Sequence, residues 1–399
     1  MVEAALPPGS PLDGATSGPG PITTAPPRAL PGTDRPRLYF LDNLRAVVIL
    51  LVIVLHASIT YMADPPSWWY VLDPHQDVLF TMLVLLVDVP IMPALFFVAG
   101  YFALPSLERR GSGRFLREKL VRVAAPWVLG VLFLAPLVTY MTDVSRHVPV
   151  GYLHFWTVDF LGPMYQQSVY WFLGVLFAAF LVLAWVYEAS PRLRASSPRI
   201  EQPPTRLLIA FVAATAAGPA LLTPAFGLDD WYSLTFLVVQ PARVAFYVGY
   251  FALGVYAERH GWFSGAGFRP DLGPWGWGCV LTGIGYLAFR MSGTMQTLPE
   301  RTAESVLFSA FCLTTLIAGV ALFQRKIDSA GRAWRTLAAN SYGIYYVHPL
   351  ILFPLAYVLV GLVAPDIAKL IILVAVTSAV SLAASALLLR RLPGLRAMF

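Results

Sequence analysis

The chain has 399 residues, of which 57% are hydrophobic and only 13% are charged, and its mean hydropathy is +0.66. A soluble domain carries about 25% charged residues, so this composition excludes an ordinary soluble protein and indicates a membrane protein. The formal net charge of +6 would suit nucleic-acid binding, but the positions of the basic residues along the chain explain it without nucleic acid.

The N-terminal stretch 1–37 differs from the rest of the chain, because it is rich in Pro, Gly, Ala and Thr and has no apolar run. Such a segment cannot bury enough surface to offset its ordering entropy, so we predict a disordered cytoplasmic tail. A signal peptide needs an apolar core behind basic residues, which this stretch lacks. The first apolar helix is therefore expected to be retained in the membrane.

A long series of apolar segments follows residue 37. About 20 apolar residues are needed to cross the hydrocarbon core of a bilayer. We predict an all-α polytopic membrane protein with about ten transmembrane helices in a domain at 38–392, followed by a short cytoplasmic tail at 393–399. Pro90 and Pro93 predict that the second helix is kinked or broken. The ten segments are 43–62, 77–103, 121–141, 168–188, 206–224, 235–257, 274–291, 303–324, 338–360 and 367–389.

The basic residues are distributed asymmetrically along this series of helices. If both termini are cytoplasmic, the inner segments hold 23 of the 28 Lys and Arg residues, which is what the positive-inside rule requires. We therefore predict cytoplasmic N- and C-termini. The basic residues left over are Arg146, Arg290, Arg301 and Lys369 in outer segments and Arg243 within a helix.

The first apolar segment, LDNLRAVVILLVIVLHAS, contains an arginine near its start and a histidine deep inside it. Arg45 and His56 are eleven residues apart, which places them on one helix face, about 16 Å apart along the axis. Ionisable groups at such depth almost always face protein or a water-filled cavity. Imidazole is well suited to proton transfer near neutral pH, so we predict His56 as a general base. A structural hydrogen bond is the alternative for His56, and a snorkelling anchor is the alternative for a catalytic Arg45.

Three further polar residues lie within predicted helices. His348 directly precedes Pro349 in SYGIYYVHPLIL, where the proline disrupts the helical hydrogen bonds. Arg243 and Asp88 lie in the sixth and second helices, and Asp88 could pair with Arg243, His56 or His348. We predict His348 as a catalytic residue and Arg243 and Asp88 as substrate-binding residues. Each could instead belong to a structural ion pair.

The loop after the second helix, LERRGSGRFLREKLVRVAAPW, has six basic residues within fourteen positions. Guanidinium groups bind phosphate bidentately, so this loop could hold the phosphates of a cytosolic donor. The alternative is a topology signal together with attraction to anionic lipid headgroups. The predicted phosphate-binding residues are Arg114, Arg117, Lys119 and Arg122.

The two outward loops at 63–77 and 142–172 are rich in aromatic residues. An aromatic belt at the membrane interface explains most of them. Aromatic faces also pack against sugar rings, so a lid or an acceptor-binding wall is the second hypothesis, and we predict Trp171 as a substrate-binding residue. The loop aromatics are Trp68, Trp69, Tyr70, Tyr152, Trp156, Tyr165 and Trp171.

Four sequence patches, in the expected order, resemble the integral-membrane acyltransferase-3 family, and within it most closely the glucan biosynthesis protein C branch. LDNLRAVVILLVIVLHAS resembles the family's first helix, with Leu-Asp, then Leu-Arg, and a histidine eleven residues after the arginine. Later family segments resemble IMPALFFVAGYF followed by RFLREKLVRVAAPW, then SVYWFLGVLF, and finally SYGIYYVHPLIL. Together the patches span about residues 41–352.

The resemblance implies a ten-helix, acyl-CoA-dependent acyltransferase that modifies hydroxyl groups, usually on carbohydrates, at the plasma membrane. It implies that His56 matches the family's essential first-helix histidine and that Arg45 matches its first-helix arginine. Lys119 and Arg122 match positions where paired arginines are common, although lysine cannot bind phosphate bidentately. Ala99–Gly100 stands where the family usually has Ser-Gly, so any role of that hydroxyl is absent here.

Two functions are compatible with these residues. In the first, acyl-CoA docks from the cytosol and a carbohydrate hydroxyl enters from outside. His56 removes the hydroxyl proton, and Arg243 or His348 orients the acceptor or stabilises the oxyanion. The acyl group would be of the acetyl or succinyl class, and no metal is expected, because Cys279 and Cys312 lack metal-ligand spacing. In the second, the protein is a proton-coupled transporter of a glycan, lipid or metabolite, with His56 as the coupling group.

Overall fold

The structure, a computed structural model, is almost entirely helical in the part that it describes. The described residues are Met1, 37–195, 197–200, 202–265, 267–293 and 297–399. The predicted disordered tail therefore lies almost wholly outside them. The long helices of the described part are α1 (Tyr39–Ile59), α2 (Val78–Arg110), α3 (Ser112–Ser145), α4 (Ser168–Ala189), α5 (Thr205–Phe226), α6 (Val244–Arg259), α7 (Leu272–Met291), α8 (Leu298–Lys326), α9 (Arg332–Val360) and α10 (Asp366–Leu389).

The strands of the described part form one small hairpin, and an isolated parallel bridge joins Met62 to Asp77. Strands β1 (Tyr232–Leu234) and β2 (Leu237–Val239) pair antiparallel between α5 and α6, with Tyr232 opposite Val239. Because the described part is otherwise helical, the expectation of an all-α membrane fold is confirmed as far as the type of secondary structure is concerned. The hairpin itself was not predicted, because its apolar residues continue the apolar pattern of the sixth segment.

Eight of these helices are long and apolar enough to cross a membrane. The other two are α6, which has only 16 residues, and α7, in which five glycines and Arg290 lower the mean hydropathy. The sequence predicted a sixth span at 235–257, but the helix begins only at Val244, after β2 and a 3₁₀ turn at Pro241–Arg243. Proline has no N–H and suits the first turn of a helix, so it marks the start of α6.

α2 runs as one helix from Val78 to Arg110, although it contains Pro90, Pro93 and Pro105. Membrane helices tolerate proline, because neighbouring groups satisfy the freed carbonyls. Of the two predicted outcomes, a kinked or a broken helix, the broken helix is wrong. The start of α2 is capped by Asp77, whose carboxylate accepts a hydrogen bond from the N–H of Leu79 at 2.8 Å.

α2 and α6 cross in backbone contact, and two glycines make this possible. A Cβ at Gly100 of α2 would lie 2.1 Å from the carbonyl oxygen of Phe251, and a Cβ at Gly254 of α6 would lie 2.1 Å from that of Phe97. A larger residue at either position would push the helices apart. The glycine of the Ala99–Gly100 patch therefore has a packing role.

Loops and helix ends gather at two opposite ends of the helix bundle. At the first end, Asn43 Nδ2 donates to the carbonyls of Ile327 (2.7 Å) and Ser329 (3.1 Å). At the second, Lys369 Nζ lies 2.9 Å from Asp73 Oδ2. We call the first end the basic face; it comprises residues 37–40, 110–112, 190–195, 260–265, 327–331 and 390–399. We call the second end the cavity face; it comprises residues 60–77, 146–167, 227–243 and 361–365.

α1 and α9 run parallel and in contact. Near the basic face, Arg45 of α1 donates to the carbonyl of Ala338 at 3.3 Å. Further along both helices, His56 meets His348. Residue numbers thus increase in the same direction on the two helices. The predicted common face of Arg45 and His56 is the face of α1 that contacts α9.

Candidate active site

A pair of histidines joins α1 and α9 in the interior of the bundle. His56 Nδ1 lies 3.0 Å from His348 Nε2, and the two ring planes are within 3° of parallel. His348 is fully buried, whereas His56 is half-buried. The sequence predicted both histidines as site residues but did not predict that they touch each other.

Pro349 provides the partner that orients His348. In a regular helix the N–H of residue 349 would bond to the carbonyl of Tyr345, but proline has no N–H. That carbonyl accepts instead from His348 Nδ1, at 2.7 Å. The sequence His348-Pro349 therefore frees an acceptor for its own imidazole.

These two contacts determine the tautomers of the neutral pair. Because His348 Nδ1 donates to a carbonyl, His348 Nε2 is an acceptor, and His56 Nδ1 donates to it. His56 Nε2 is then left with its lone pair. The site thus presents an unprotonated imidazole nitrogen on an oriented ring, which is what a general base requires.

His56 lines a cavity of about 580 Å³ at the cavity face. This volume lies within the range of roughly 300–1,000 Å³ that is typical of small-molecule sites. The cavity walls come from the three loops that follow α1, α3 and α5, together with His56 and the first turn of α4, so residues far apart in the sequence enclose it. The aromatic lining residues are Trp68, Trp69, Tyr70, Tyr165, Trp171, Trp231 and Tyr232.

The structure divides the predicted loop aromatics into two sets. Five of the seven line the cavity with His56. The other two, Tyr152 and Trp156, stack on each other with ring centroids 6.4 Å apart and are absent from its lining. Trp231 and Tyr232 also line the cavity but were missed, because they lie in the segment of the unpredicted hairpin.

Polar residues complete the cavity wall, and sequence reasoning missed them. Tyr70 donates its hydroxyl hydrogen to Gln166 Oε1 at 3.1 Å. Burial raises the pKa of Tyr70 to about 12, so it is a neutral hydrogen-bond donor at physiological pH. The available signal was the run Gln-Gln-Ser between aromatic residues in MYQQSVYW. The polar lining residues are Gln166, Gln167, Ser168, Asp230 and Ser233.

A network of ion pairs lies among α2, α7, α8 and the segment before α6. Arg243 Nη1 lies 2.5 Å from Asp88 Oδ2, and Nη2 of the same guanidinium contacts Asp229. Arg290 bridges Asp229 (2.7 Å) and Glu304 (2.8 Å). Although burial opposes ionisation, Arg243 and Arg290 hold the pKa of Asp229 below its ordinary value. Of the three partners predicted for Asp88, the structure selects Arg243.

This network holds a loop that forms part of the cavity wall. Neither Arg243 nor Asp88 lines the cavity, but the loop that Arg243 contacts continues into Asp230 and Trp231, which do. Trp171 lines the cavity and packs edge-on against Trp231, with ring centroids 5.1 Å apart. A direct substrate contact by Arg243 or Asp88 therefore stays a prediction, and the geometry gives both residues a positioning role.

Arg45 lies on the basic-face side of the bundle, three turns of α1 away from His56. Its Nη2 donates to the carbonyl of Ala338 and lies 3.7 Å from Asp42 Oδ1. Its Nε is buried and has no hydrogen-bond partner among the described residues. Arg45 does not line the histidine cavity, so its predicted catalytic role stays a prediction.

The predicted phosphate-binding loop is partly neutralised by its neighbours. Arg122 lies 3.7 Å from Glu118, which also pairs with Arg110. Lys119 Nζ lies 4.6 Å above the ring of Phe180. These contacts occupy two of the four predicted residues. The two that remain exposed and have no ion pair in the described part of the chain are Arg114 and Arg117.

Comparison with known protein families matches residues 38–390 to the acyltransferase-3 family, which is described as "Acyltransferase domain". The match covers almost all of the described chain. The chain belongs to the acyltransferase-3 family. It is therefore a membrane acyltransferase, and the resemblance of the four sequence patches is confirmed.

Known relatives of this acyltransferase include the proteins named "Glucans biosynthesis protein C" from Salmonella gallinarum, Salmonella paratyphi B and Salmonella enteritidis. Each is 27% identical over 345 residues, which cover 81% of this chain and 84% of the relative. These names agree with the branch that the sequence patches resembled. No solved structure matches the chain.

One group of side chains in the described part of the acyltransferase has the spacing of metal ligands. Ligand atoms of Asp73, His75 and Asp366 lie within 4.8 Å of one another. Lys369 Nζ, however, lies 2.9 Å from Asp73 and 3.6 Å from Asp366. An ammonium group thus already pairs with both carboxylates, so the residues fit an ion-pair cluster better than a metal site.

Proposed function

We propose that this chain is a membrane O-acyltransferase. It moves an acyl group of the acetyl or succinyl class from acyl-CoA to a hydroxyl of a carbohydrate or glycosylated acceptor at the plasma membrane. The observation that supports this most directly is the His56–His348 pair, because it leaves an unprotonated nitrogen on a residue that lines an aromatic cavity. Family membership supports the acyl transfer itself.

In the proposed reaction His56 acts as the general base. Its Nε2 takes the proton of the acceptor hydroxyl while the hydroxyl oxygen attacks the thioester carbonyl. The carbon–sulfur bond then breaks, and the leaving thiolate receives the proton from His56, which gives an ester and free coenzyme A. The positive charge that develops on His56 strengthens the hydrogen bond that its Nδ1–H donates to His348. The pair therefore stabilises protonated His56 between the two proton transfers.

A carbohydrate acceptor suits the walls of the cavity. Sugar rings have apolar faces and polar edges, and the cavity offers aromatic faces together with amide, hydroxyl and carboxylate groups. The relatives named for glucan biosynthesis support the same class of acceptor. Trp171 and Trp231, in edge-to-face contact, form the aromatic part of the wall nearest the charge network.

We further propose that α6 and α7 also cross the membrane, which gives ten crossings with the basic face and both termini in the cytoplasm. In support, α6 begins beside Asp88, ten residues into α2, where Arg243 contacts that carboxylate, and it ends at the basic face, where Arg259 donates to the carbonyl of Arg192. Lys- and Arg-rich loops remain cytoplasmic. Acyl-CoA would then reach the basic face, where the candidate phosphate ligands are Arg45, Arg114, Arg117, Lys119 and Arg122.

The test uses the full-length protein, purified into lipid nanodiscs, with labelled acetyl-CoA or succinyl-CoA and a glucan oligosaccharide. We expect labelled ester on the sugar. His56→Ala should lower the rate about 1,000-fold, since general acid–base catalysis contributes roughly 10²–10⁴. The matched control is His154→Ala, an exposed histidine in a short helix outside the cavity lining, which should keep the full rate.

Two results would contradict the proposal. Full activity of His56→Ala would remove the general-base assignment. Counterflow of unmodified glucan across the membrane of proteoliposomes, with no ester formed from either donor, would favour the proton-coupled transporter and exclude acyl transfer to this acceptor class.

A further inference from the structure

Five arginines from two separate stretches of the chain converge on one cleft at the basic face. Two of them lie in the first turn of α9, and three follow the end of α10. The cleft has a volume of about 730 Å³. We call it the arginine cleft, and its basic residues are Arg332, Arg335, Arg390, Arg391 and Arg396.

The arginines of this cleft differ from other arginines of the same face in their ion pairs. In the part of the chain that the structure describes, no carboxylate forms an ion pair with any of the five. Other arginines of the same face are paired: Arg325 lies 2.9 Å from Asp271, and Arg122 lies 3.7 Å from Glu118. Uncompensated charges of one sign in a concave space raise the local potential and attract counter-ions.

The beginning of α9 adds to the positive potential. The first turn of a helix presents free N–H groups and the positive end of the helix dipole, so acidic residues are normally favoured there. α9 has no acidic residue in its first turn and no side-chain cap, and it places Arg332 and Arg335 there instead. This arrangement is unfavourable unless an anion balances it.

The floor of the arginine cleft is held by hydrogen bonds. Asn340 is buried, its Oδ1 accepts from Ser385 Oγ at 2.9 Å, and its Nδ2 donates to the carbonyl of Thr336 at 2.8 Å. The bond from Ser385 ties α9 to the end of α10, and the bond to Thr336 orients the Asn340 side chain within α9. The two groups of arginines are therefore held at a fixed separation, as a preorganised binding site requires.

The arginine cleft lies beside the helices that carry the histidine pair. Arg45 donates to the carbonyl of Ala338, which lies between the cleft residues Thr336 and Asn340 on α9. His348 follows Asn340 by eight residues, or about 12 Å along the helix axis. A ligand held in the cleft would thus lie at the basic-face end of the helix pair that forms the candidate active site.

We propose that the arginine cleft binds a ligand that carries two or more phosphate groups. Guanidinium groups bind phosphate oxygens bidentately, and several of them are needed to balance a multiply charged anion. Two sources share this chemistry, the phosphates of coenzyme A and an anionic lipid headgroup. Only the assignment to coenzyme A rests on the proposed function.

The first arm of the test measures coenzyme A binding to the full-length protein in phosphatidylcholine nanodiscs by calorimetry. The double variant Arg335→Gln/Arg391→Gln should lower the affinity at least tenfold, since it removes one charged group from each side of the cleft. The matched control, Arg194→Gln/Arg206→Gln, removes two exposed arginines at or near the same face and should change the affinity less than twofold.

The second arm measures cardiolipin retained by the protein from mixed nanodiscs, by native mass spectrometry. If the double variant loses cardiolipin but binds coenzyme A like the wild type, the cleft binds phosphate and the source is the lipid. If the double variant matches the wild type in both coenzyme A affinity and cardiolipin retention, the inference is overturned.

Acyl-transfer rates on the same preparations separate this inference from the proposed function. If the wild type transfers no acyl group while the double variant still loses phosphate binding, the proposed function fails and the cleft assignment stands. If the wild type transfers acyl groups while the double variant binds both ligands normally, the cleft assignment fails and the proposed function stands.

Discussion

The histidine pair and the ion-pair network are two polar clusters between apolar helices, and they are built differently. In the network, two arginines, Arg243 and Arg290, bridge three carboxylates, so every charged group contacts at least one of opposite sign. In the pair, His56 uses one ring nitrogen to contact His348 and lines a cavity. A cluster whose charges are all paired holds helices together, whereas one that keeps a spare acceptor at a cavity is equipped for chemistry.

Of the substitutions that test this difference between the two clusters, those at His348 should have the largest effect, which is on the rate of acyl transfer. His348→Ala removes the acceptor of His56 Nδ1, so the tautomer and ring orientation of His56 are no longer held, and the rate of acyl transfer should fall about 100-fold. His348→Gln keeps an acceptor oxygen and should recover about tenfold of that loss. The measurement is kcat with labelled acyl-CoA. Equal rates for the two variants would mean that His348 has only a packing role.

Arg243 should show the opposite behaviour, a loss of stability. Breaking a fully buried ion pair costs about 3–5 kcal/mol. Asp88 and Asp229 keep 31% and 43% of their side chains exposed, so we expect Arg243→Met to lower the free energy of unfolding by about 2 kcal/mol. The measurement is denaturant unfolding in detergent.

A double variant sharpens the Arg243 prediction. Asp88→Asn/Arg243→Met should be less destabilised than the sum of the two single variants, because no carboxylate at position 88 is left without its partner. Arg146→Met, which removes hydrogen bonds to the backbone carbonyls of Ser67 and Trp69, is the control. If Arg243→Met lowered kcat and left stability unchanged, Arg243 would belong to the reacting site. The contrast between a stabilising network and a reactive histidine pair would then be wrong.

The smallest effect concerns the cavity wall. Trp231→Ala should raise the KM for the glucan acceptor about threefold to tenfold, since an aromatic contact contributes roughly 0.5–1.5 kcal/mol. The KM for acyl-CoA should not change. Trp156→Ala removes an aromatic residue that is absent from the cavity lining and serves as the control. An equal rise for both variants would show that the wall does not select the acceptor.

The helix series was predictable from the sequence, and its errors have a physical cause. Hydropathy and length located nine segments, with ends that differ from the observed helix ends by up to nine residues, because burial in lipid imposes a local composition. The sixth began too early, since the apolar residues Leu237, Val238 and Val239 have the hydropathy of a helix but form β2. Hydropathy does not distinguish an apolar strand from an apolar helix over so few residues.

The site was predictable in its residue types and not in its contacts. His56 and His348 were selected because an imidazole is unusual inside an apolar helix, and Trp171 because an indole of an outward loop can pack against a sugar ring. That Arg243 would meet Asp88 was one of several open pairings, and that Lys119 would lie over the ring of Phe180 was not foreseen. Chemistry-bearing residues can be recognised singly, but their partners come from other helices.

The sequence by itself determined the membrane class, the order of the helices and the shared face of Arg45 and His56, because hydropathy and helical periodicity are local properties of the chain. Only the tertiary structure decided that His56 meets His348, which frees one lone pair at a cavity. It also decided that arginines from the start of α9 and the end of α10 share one cleft. These contacts depend on how helices pack, and no local pattern specifies which helix will be the neighbour.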